Sequence, residues 1–117
     1  MLEWDTYRKQ VLTMVGEIGK TSPEIVRGYT ALSGAGARTG TLDAKTRELI
    51  ALAVAVTRQC DGCIAVHVDA AVKHGATRQE VTEALGVAIT VNAGAALVYS
   101  ARLIDAYDER TTDRVLS

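Results

Sequence analysis

LDAKTRELIALAVAVTRQCDGCIAVHVDAAVKHGATRQEVTEALGVAI, residues 42–89, decides between helix and strand for the whole chain. The strong helix formers Ala, Leu, Glu, Arg and Lys outnumber β-branched and aromatic residues in most of its windows. Its one Asp-Gly dipeptide, Asp61-Gly62, lies between two cysteines and lacks the alternating flanks of a hairpin. A helix is expected from Leu42 or Asp43, apolar on every side from Leu49 to Val56, so it must be enclosed by neighbours or by a partner subunit. A second opens at Cys60 or Asp61 and runs to about His74, where Gly75 can take the left-handed backbone that ends a helix. Thr77-Arg78-Gln79-Glu80 is a capping box, followed by Val81, Ala84, Leu85 and Ala88 at helical spacing.

Outward from this stretch the same period continues. Tyr7, Val11, Met14, Val15 and Ile18 form one apolar stripe over residues 4–18, with Gly19 as the stop. Ser22-Pro23-Glu24 places a cap, a first-position proline and a dipole-matched acid in order, which starts another helix. The glycine-rich SGAGARTG, residues 33–40, is expected to be a loop. AGAALVYSARLIDAY, residues 93–107, is small on one face and bulky on another, and a break near Asn92 to Gly94 is expected to separate it from the preceding helix. The polar tail, residues 108–117, is expected to be disordered. The fold class is therefore all-α with about six helices in a single domain, 1–117, a length that suits one core.

Composition removes several functions. Charges almost cancel, at a formal net of −1, and the basic residues are scattered, so nucleic acid and anionic membrane surfaces are not expected partners. The start MLEWDTYRKQ does not have the form of a secretion signal, and the longest uninterrupted apolar run, Leu49 to Val56, is far shorter than the roughly 20 residues of a membrane span. A cytoplasmic protein is expected. In that setting two cysteines three positions apart point to redox or metal chemistry rather than a structural staple.

A Cys60-x-x-Cys63 pair at a helix N-terminus brings two thiols within disulfide reach, and the positive helix end favours the thiolate. His67 follows Cys63 by four residues, so the two share a helix face and the imidazole leans back toward the sulfur. That is the arrangement of a thiol and its base; without Cys63 the histidine would read as a satisfied core residue. Zinc fits poorly, because His67 and His74 are separated by roughly 10 Å of helix rise while zinc bonds are near 2 Å. No metal or other cofactor is expected, and His74 reads as a helix-end cap. Glu48, on one face with Leu52, Ala55 and Val56, needs a partner. An ion pair with Lys45, Arg47 or Arg58 and a catalytic role both remain open from the residues alone.

The segment 42–89 resembles the core of the alkylhydroperoxidase D-like family, grouped with the carboxymuconolactone decarboxylases, and a vaguer likeness reaches Tyr107. In the redox members a glutamate precedes a CxxC by twelve residues and a histidine follows its second cysteine by four, and Glu48, Cys60, Cys63 and His67 match that pattern. The resemblance implies an all-α homo-oligomer, a trimer or hexamer. It also implies a peroxidase or disulfide reductase, in which Cys63 attacks hydrogen peroxide or a small alkyl hydroperoxide. Cys60 then resolves the sulfenic acid, Glu48 and His67 relay protons, and an external dithiol or protein reductant restores the thiols. The decarboxylase branch lacks the cysteine pair. A lactone decarboxylase-like activity and a non-catalytic redox sensor or assembly module are the alternatives.

Overall fold

In the computed structural model, which describes residues 1–116, the chain is five α-helices: α1 (Trp4–Thr21), α2 (Pro23–Thr39), α3 (Ala44–Thr57), α4 (Asp61–Lys73) and α5 (Arg78–Leu116). No strand occurs among the described residues. α3 packs against both α4 and α5, while α1 packs against α2 and α4. The buried side chains are Leu52 and Ala55 of α3, Ala65 and Ala71 of α4, and Ala88 of α5. Four alanines and one leucine make a thin core, and their small size lets three helix backbones approach closely.

The ends of the central helices follow from their residues. Asp43 caps α3, its Oδ1 accepting from the Thr46 amide at 2.8 Å, and hydrogen bonding first from the Thr46 side chain and then from its amide holds the carboxyl below the ordinary value. α4 ends at His74, with Gly75 at φ +82°. The capping box forms on both sides: the Thr77 amide donates to Glu80 Oε1 at 2.9 Å, and the Glu80 amide to Thr77 Oγ1 at 3.1 Å. Lys45 reaches from α3 to Glu80 Oε2 at 2.8 Å, closing the α3–α5 contact. Arg8 of α1 pairs with Asp69 of α4 at 2.8 Å.

Three expectations are corrected. Residues 33–39 are helical, not a loop: Ala31, Ala35 and Ala37 sustain α2, and the left-handed turn is deferred to Gly40, at φ +70°. A Cβ at Gly36 would lie 2.9 Å from Arg47 Cδ, so this glycine serves the approach of α2 to α3. No break occurs at 92–94, so there are five helices rather than about six. Asn92 Nδ2 donates to Thr57 Oγ1 of α3 at 2.8 Å and to the Ala88 carbonyl at 2.7 Å, so its amide is committed to neighbours instead of a local turn. The tail is helical to Leu116, with Ser117 outside the described residues.

The 39 residues of α5 span roughly 58 Å at the helical rise, near the longest molecular extent of 63 Å. The radius of gyration, 20.4 Å, far exceeds the roughly 13 Å of a compact chain of this length. Beyond Gly94 the helix carries Leu97, Val98, Leu103 and Ile104, all more than half exposed. Among the described residues it is the one helix, over Arg78–Thr112, long and apolar enough to cross a membrane by length and composition. Its first half is tied to α3 by packing and by the Asn92–Thr57 bond.

Candidate functional site

Cys60 is the junction between two helices. At the end of α3 the Cys60 amide donates to the Ala55 carbonyl at 3.1 Å and the Gln59 amide to Val56 at 3.2 Å, the paired bonds of a Schellman turn. Such a turn needs a left-handed residue, and Gln59 supplies it at φ 52°. Cys60 leaves the turn extended and becomes the N-cap of α4, with its Sγ accepting from the Cys63 amide at 3.1 Å. Cys60 and Cys63 form a disulfide, their Cα atoms 5.2 Å apart. Cys63 is exposed and Cys60 half-buried, so an incoming molecule meets Cys63 first.

Glu48, on α3, and His67, on α4, meet where the two helices pack. His67 Nδ1 lies 2.7 Å from Glu48 Oε2, and both side chains are only partly exposed. A carboxylate can only accept, so Nδ1 carries the proton and Nε2 of the neutral ring is left with a lone pair. Of the competing cations, Lys45 holds Glu80 and Arg47 Nη1 donates to the Leu42 carbonyl, and the side chain bonded to Glu48 is His67 rather than Arg58. The four residues singled out in the sequence thus lie on two packed helices. The disulfide and His67 line one cleft, with Glu48 bonded behind the imidazole.

That cleft, about 420 Å³, is open to solvent and has an apolar opposite wall, built from Val11, Leu12, Val15 and Ile18 of α1 and Ile25, Val26 and Tyr29 of α2. α1 comes close to the cysteine loop, since a Cβ at Gly62 would lie 3.6 Å from Val11 Cγ1. Sequence reasoning had the α1 stripe but not its destination. Leu12, Val15 and Ile18 remain 39–53 % exposed, an apolar face larger than the chain itself covers. Among the described residues, no three His, Cys, Asp or Glu side chains converge in a way that could hold a metal ion.

A sequence profile of the carboxymuconolactone decarboxylase family matches residues 23–106. An uncharacterised protein of Haemophilus influenzae is 50 % identical over 105 residues, covering 90 % of this chain and 93 % of its own. An uncharacterised protein of the cox locus of Paracoccus denitrificans is 38 % identical over 95 residues, 81 % of this chain and 86 % of its own. In three dimensions the chain is similar to the crystal structure of an apo carboxymuconolactone decarboxylase family protein from Legionella pneumophila. The TM-score is 0.73 and the identity 39 %, with 92 % of this chain and 96 % of that one covered. A protein from Methanobacterium thermoautotrophicum superposes with a TM-score of 0.66 at 28 % identity, covering 72 % and 94 % respectively.

Proposed function

Because the chain belongs to the carboxymuconolactone decarboxylase family and carries a cysteine pair beside a Glu–His contact, we propose that it is a thiol-dependent peroxidase for hydrogen peroxide or small alkyl hydroperoxides. The observation that carries this reading is the 2.7 Å Glu48–His67 contact immediately behind a cleft lined by Cys60 and Cys63. Glu48 fixes the tautomer, and His67 Nε2 takes the Cys63 thiol proton. The thiolate attacks the outer peroxide oxygen, the O–O bond breaks, and the proton returns to the departing alkoxide or hydroxide, leaving Cys63 as a sulfenic acid. Cys60 attacks that sulfur, water leaves, and the disulfide forms. An external dithiol then supplies two electrons and becomes a disulfide itself.

The reading is tested by peroxide consumption with dithiothreitol as reductant. Cys63→Ser is expected to abolish turnover, and full activity in that variant contradicts the proposal. The family match also favours a second reading, a lactone decarboxylase-like activity. It requires consumption of such a substrate to persist in a Cys60→Ser/Cys63→Ser double variant. Stoichiometric oxidation without turnover identifies a redox sensor instead.

A homo-oligomer, trimer or hexamer, and a cytoplasmic location belong to the same proposal. The exposed apolar half of α5 and the thin core support assembly, since each leaves surface that one chain does not cover. Light scattering of the purified protein tests it, and a monomeric mass contradicts it.

A further inference from the structure

Cys63 and His67 stand one turn apart on α4, so the thiol and its base come from the same wall of the cleft. A thiolate displaces at a peroxide oxygen in line: the S–O bond forms on one side of that oxygen while the O–O bond breaks on the other. The departing oxygen therefore lies away from Cys63, toward the wall built by α1 and α2, and negative charge collects on it as the bond stretches. Among the described residues that line this wall every side chain but one is aliphatic, and the exception, Tyr29, carries its only hydrogen-bond donor. We infer that the Tyr29 hydroxyl donates a hydrogen bond to the departing oxygen and is a catalytic residue of the site beside Glu48, Cys60, Cys63 and His67. This rests on the peroxidase reading and adds a residue to it.

Placement and chemistry both suit Tyr29. Ile25 and Tyr29 are one turn apart on α2, so they share the helix face that lines the cleft. The Tyr29 side chain is well exposed there, which leaves its hydroxyl open to an entering molecule, and its aliphatic neighbours offer the phenol no acceptor. His67 has one nitrogen to give, Nε2, because Nδ1 is bonded to Glu48 at 2.7 Å. That nitrogen takes the thiol proton, and Tyr29 holds the departing oxygen until the proton is returned to it. A donor fixed where charge develops lowers the barrier without being consumed. Tyr29 keeps its own proton, so the balance is that of the reaction already given: Cys63 gains one oxygen, the remainder leaves as alcohol or water, and a further water leaves when Cys60 closes the disulfide.

The test is Tyr29→Phe, which removes the hydroxyl and keeps the ring, in prereduced full-length protein. Disulfide formation is timed by quenching with N-ethylmaleimide and weighing the intact chain. Two oxidants are compared: tert-butyl hydroperoxide, whose departing alkoxide is strongly basic, and peracetic acid, whose departing carboxylate needs little help. The rate in Tyr29→Phe is expected to fall about 10- to 100-fold with tert-butyl hydroperoxide and to stay within about threefold of wild type with peracetic acid. Alkylation of Cys63 by iodoacetamide, in which no oxygen departs, should run at the wild-type rate. Equal losses with both oxidants, a slowed alkylation, or no loss with either oxidant each overturn the inference, the first two by giving Tyr29 a part in shaping the cleft or the thiol instead. If wild type reacts with tert-butyl hydroperoxide no faster than free cysteine does, the peroxidase reading has failed and this role falls with it. Fast oxidation of wild type that Tyr29→Phe matches removes the role alone.

Discussion

The turns that open and close α4 have one design and opposite residues. At the far end Gly75 takes the left-handed position, and the amides of Gly75 and Ala76 close onto Val72 and Ala71 at 3.0 and 2.9 Å. Thr77 and Glu80 then complete a two-sided cap, reinforced by Lys45. At the near end the same bond pattern turns on Gln59, a residue with a Cβ, and the cap is a sulfur atom. A left-handed residue other than glycine costs roughly 1–2 kcal/mol, and sulfur is a weak acceptor beside a hydroxyl. The far turn uses the residues a stable helix junction asks for. The near turn departs from them where Cys60 must be both the end of one helix and the start of the next, as expected where local strain coincides with a working site.

If the near turn serves chemistry and the far turn stability, substitutions at the two should separate the properties. The largest effect belongs to the proton relay. Glu48→Gln, which removes charge from the contact with His67, is expected to lower kcat/KM for peroxide about 100-fold or more while the thermal midpoint moves little, read by steady-state kinetics and calorimetry. At the far turn, Gly75→Ala is expected to cost about 1–2 kcal/mol in denaturant unfolding: no atom lies within 4 Å of the added methyl, so the left-handed backbone is the whole cost. Thr77→Ala should cost about 1 kcal/mol and leave peroxide turnover at wild-type level. Gln59→Gly is the smallest change, a stabilisation under about 1 kcal/mol, since relief of strain is offset by the unfolded freedom of glycine. Destabilisation by Gln59→Gly would mean that the near turn stores no strain.

Acid should weaken the far junction first. The Glu80 carboxyl is held below its ordinary 4.5, chiefly by the Lys45 hydrogen bond and then by the Thr77 amide. Asp69 is held below 3.8, first by Lys73 and then by the charge of Arg8. A lowered folded value means stability that is complete above the unfolded value and lost as pH falls through the folded one. The contribution of these two carboxyls to the thermal midpoint should therefore be complete above about pH 5 and fall below about pH 4, less steeply in Glu80→Gln.

Local signals in the sequence carried the central part of the molecule. The capping box, the bounds of α4, the Asp43 start of α3 and the spacing of Glu48, Cys60, Cys63 and His67 all depend on residues within a few turns of one another. What was not legible depends on distant partners. Asn92 and Gly94 look like a helix break until Thr57 of α3 is seen to hold the Asn92 amide. The glycines of 33–40 look like a loop until Gly36 is placed against Arg47. The α1 stripe was visible, but that Val11 and Val15 face the cysteines follows only from how α1 and α4 pack.

The most direct test of the peroxidase reading is the intact mass of Cys60→Ser after one equivalent of cumene hydroperoxide, measured alongside Cys60→Ser/Glu48→Gln. The expected result is rapid gain of one oxygen on Cys63, trapped as a sulfenic acid for want of its resolving partner and formed far more slowly without the Glu48 carboxylate. An unchanged mass, or oxidation equally fast in both proteins, would contradict it.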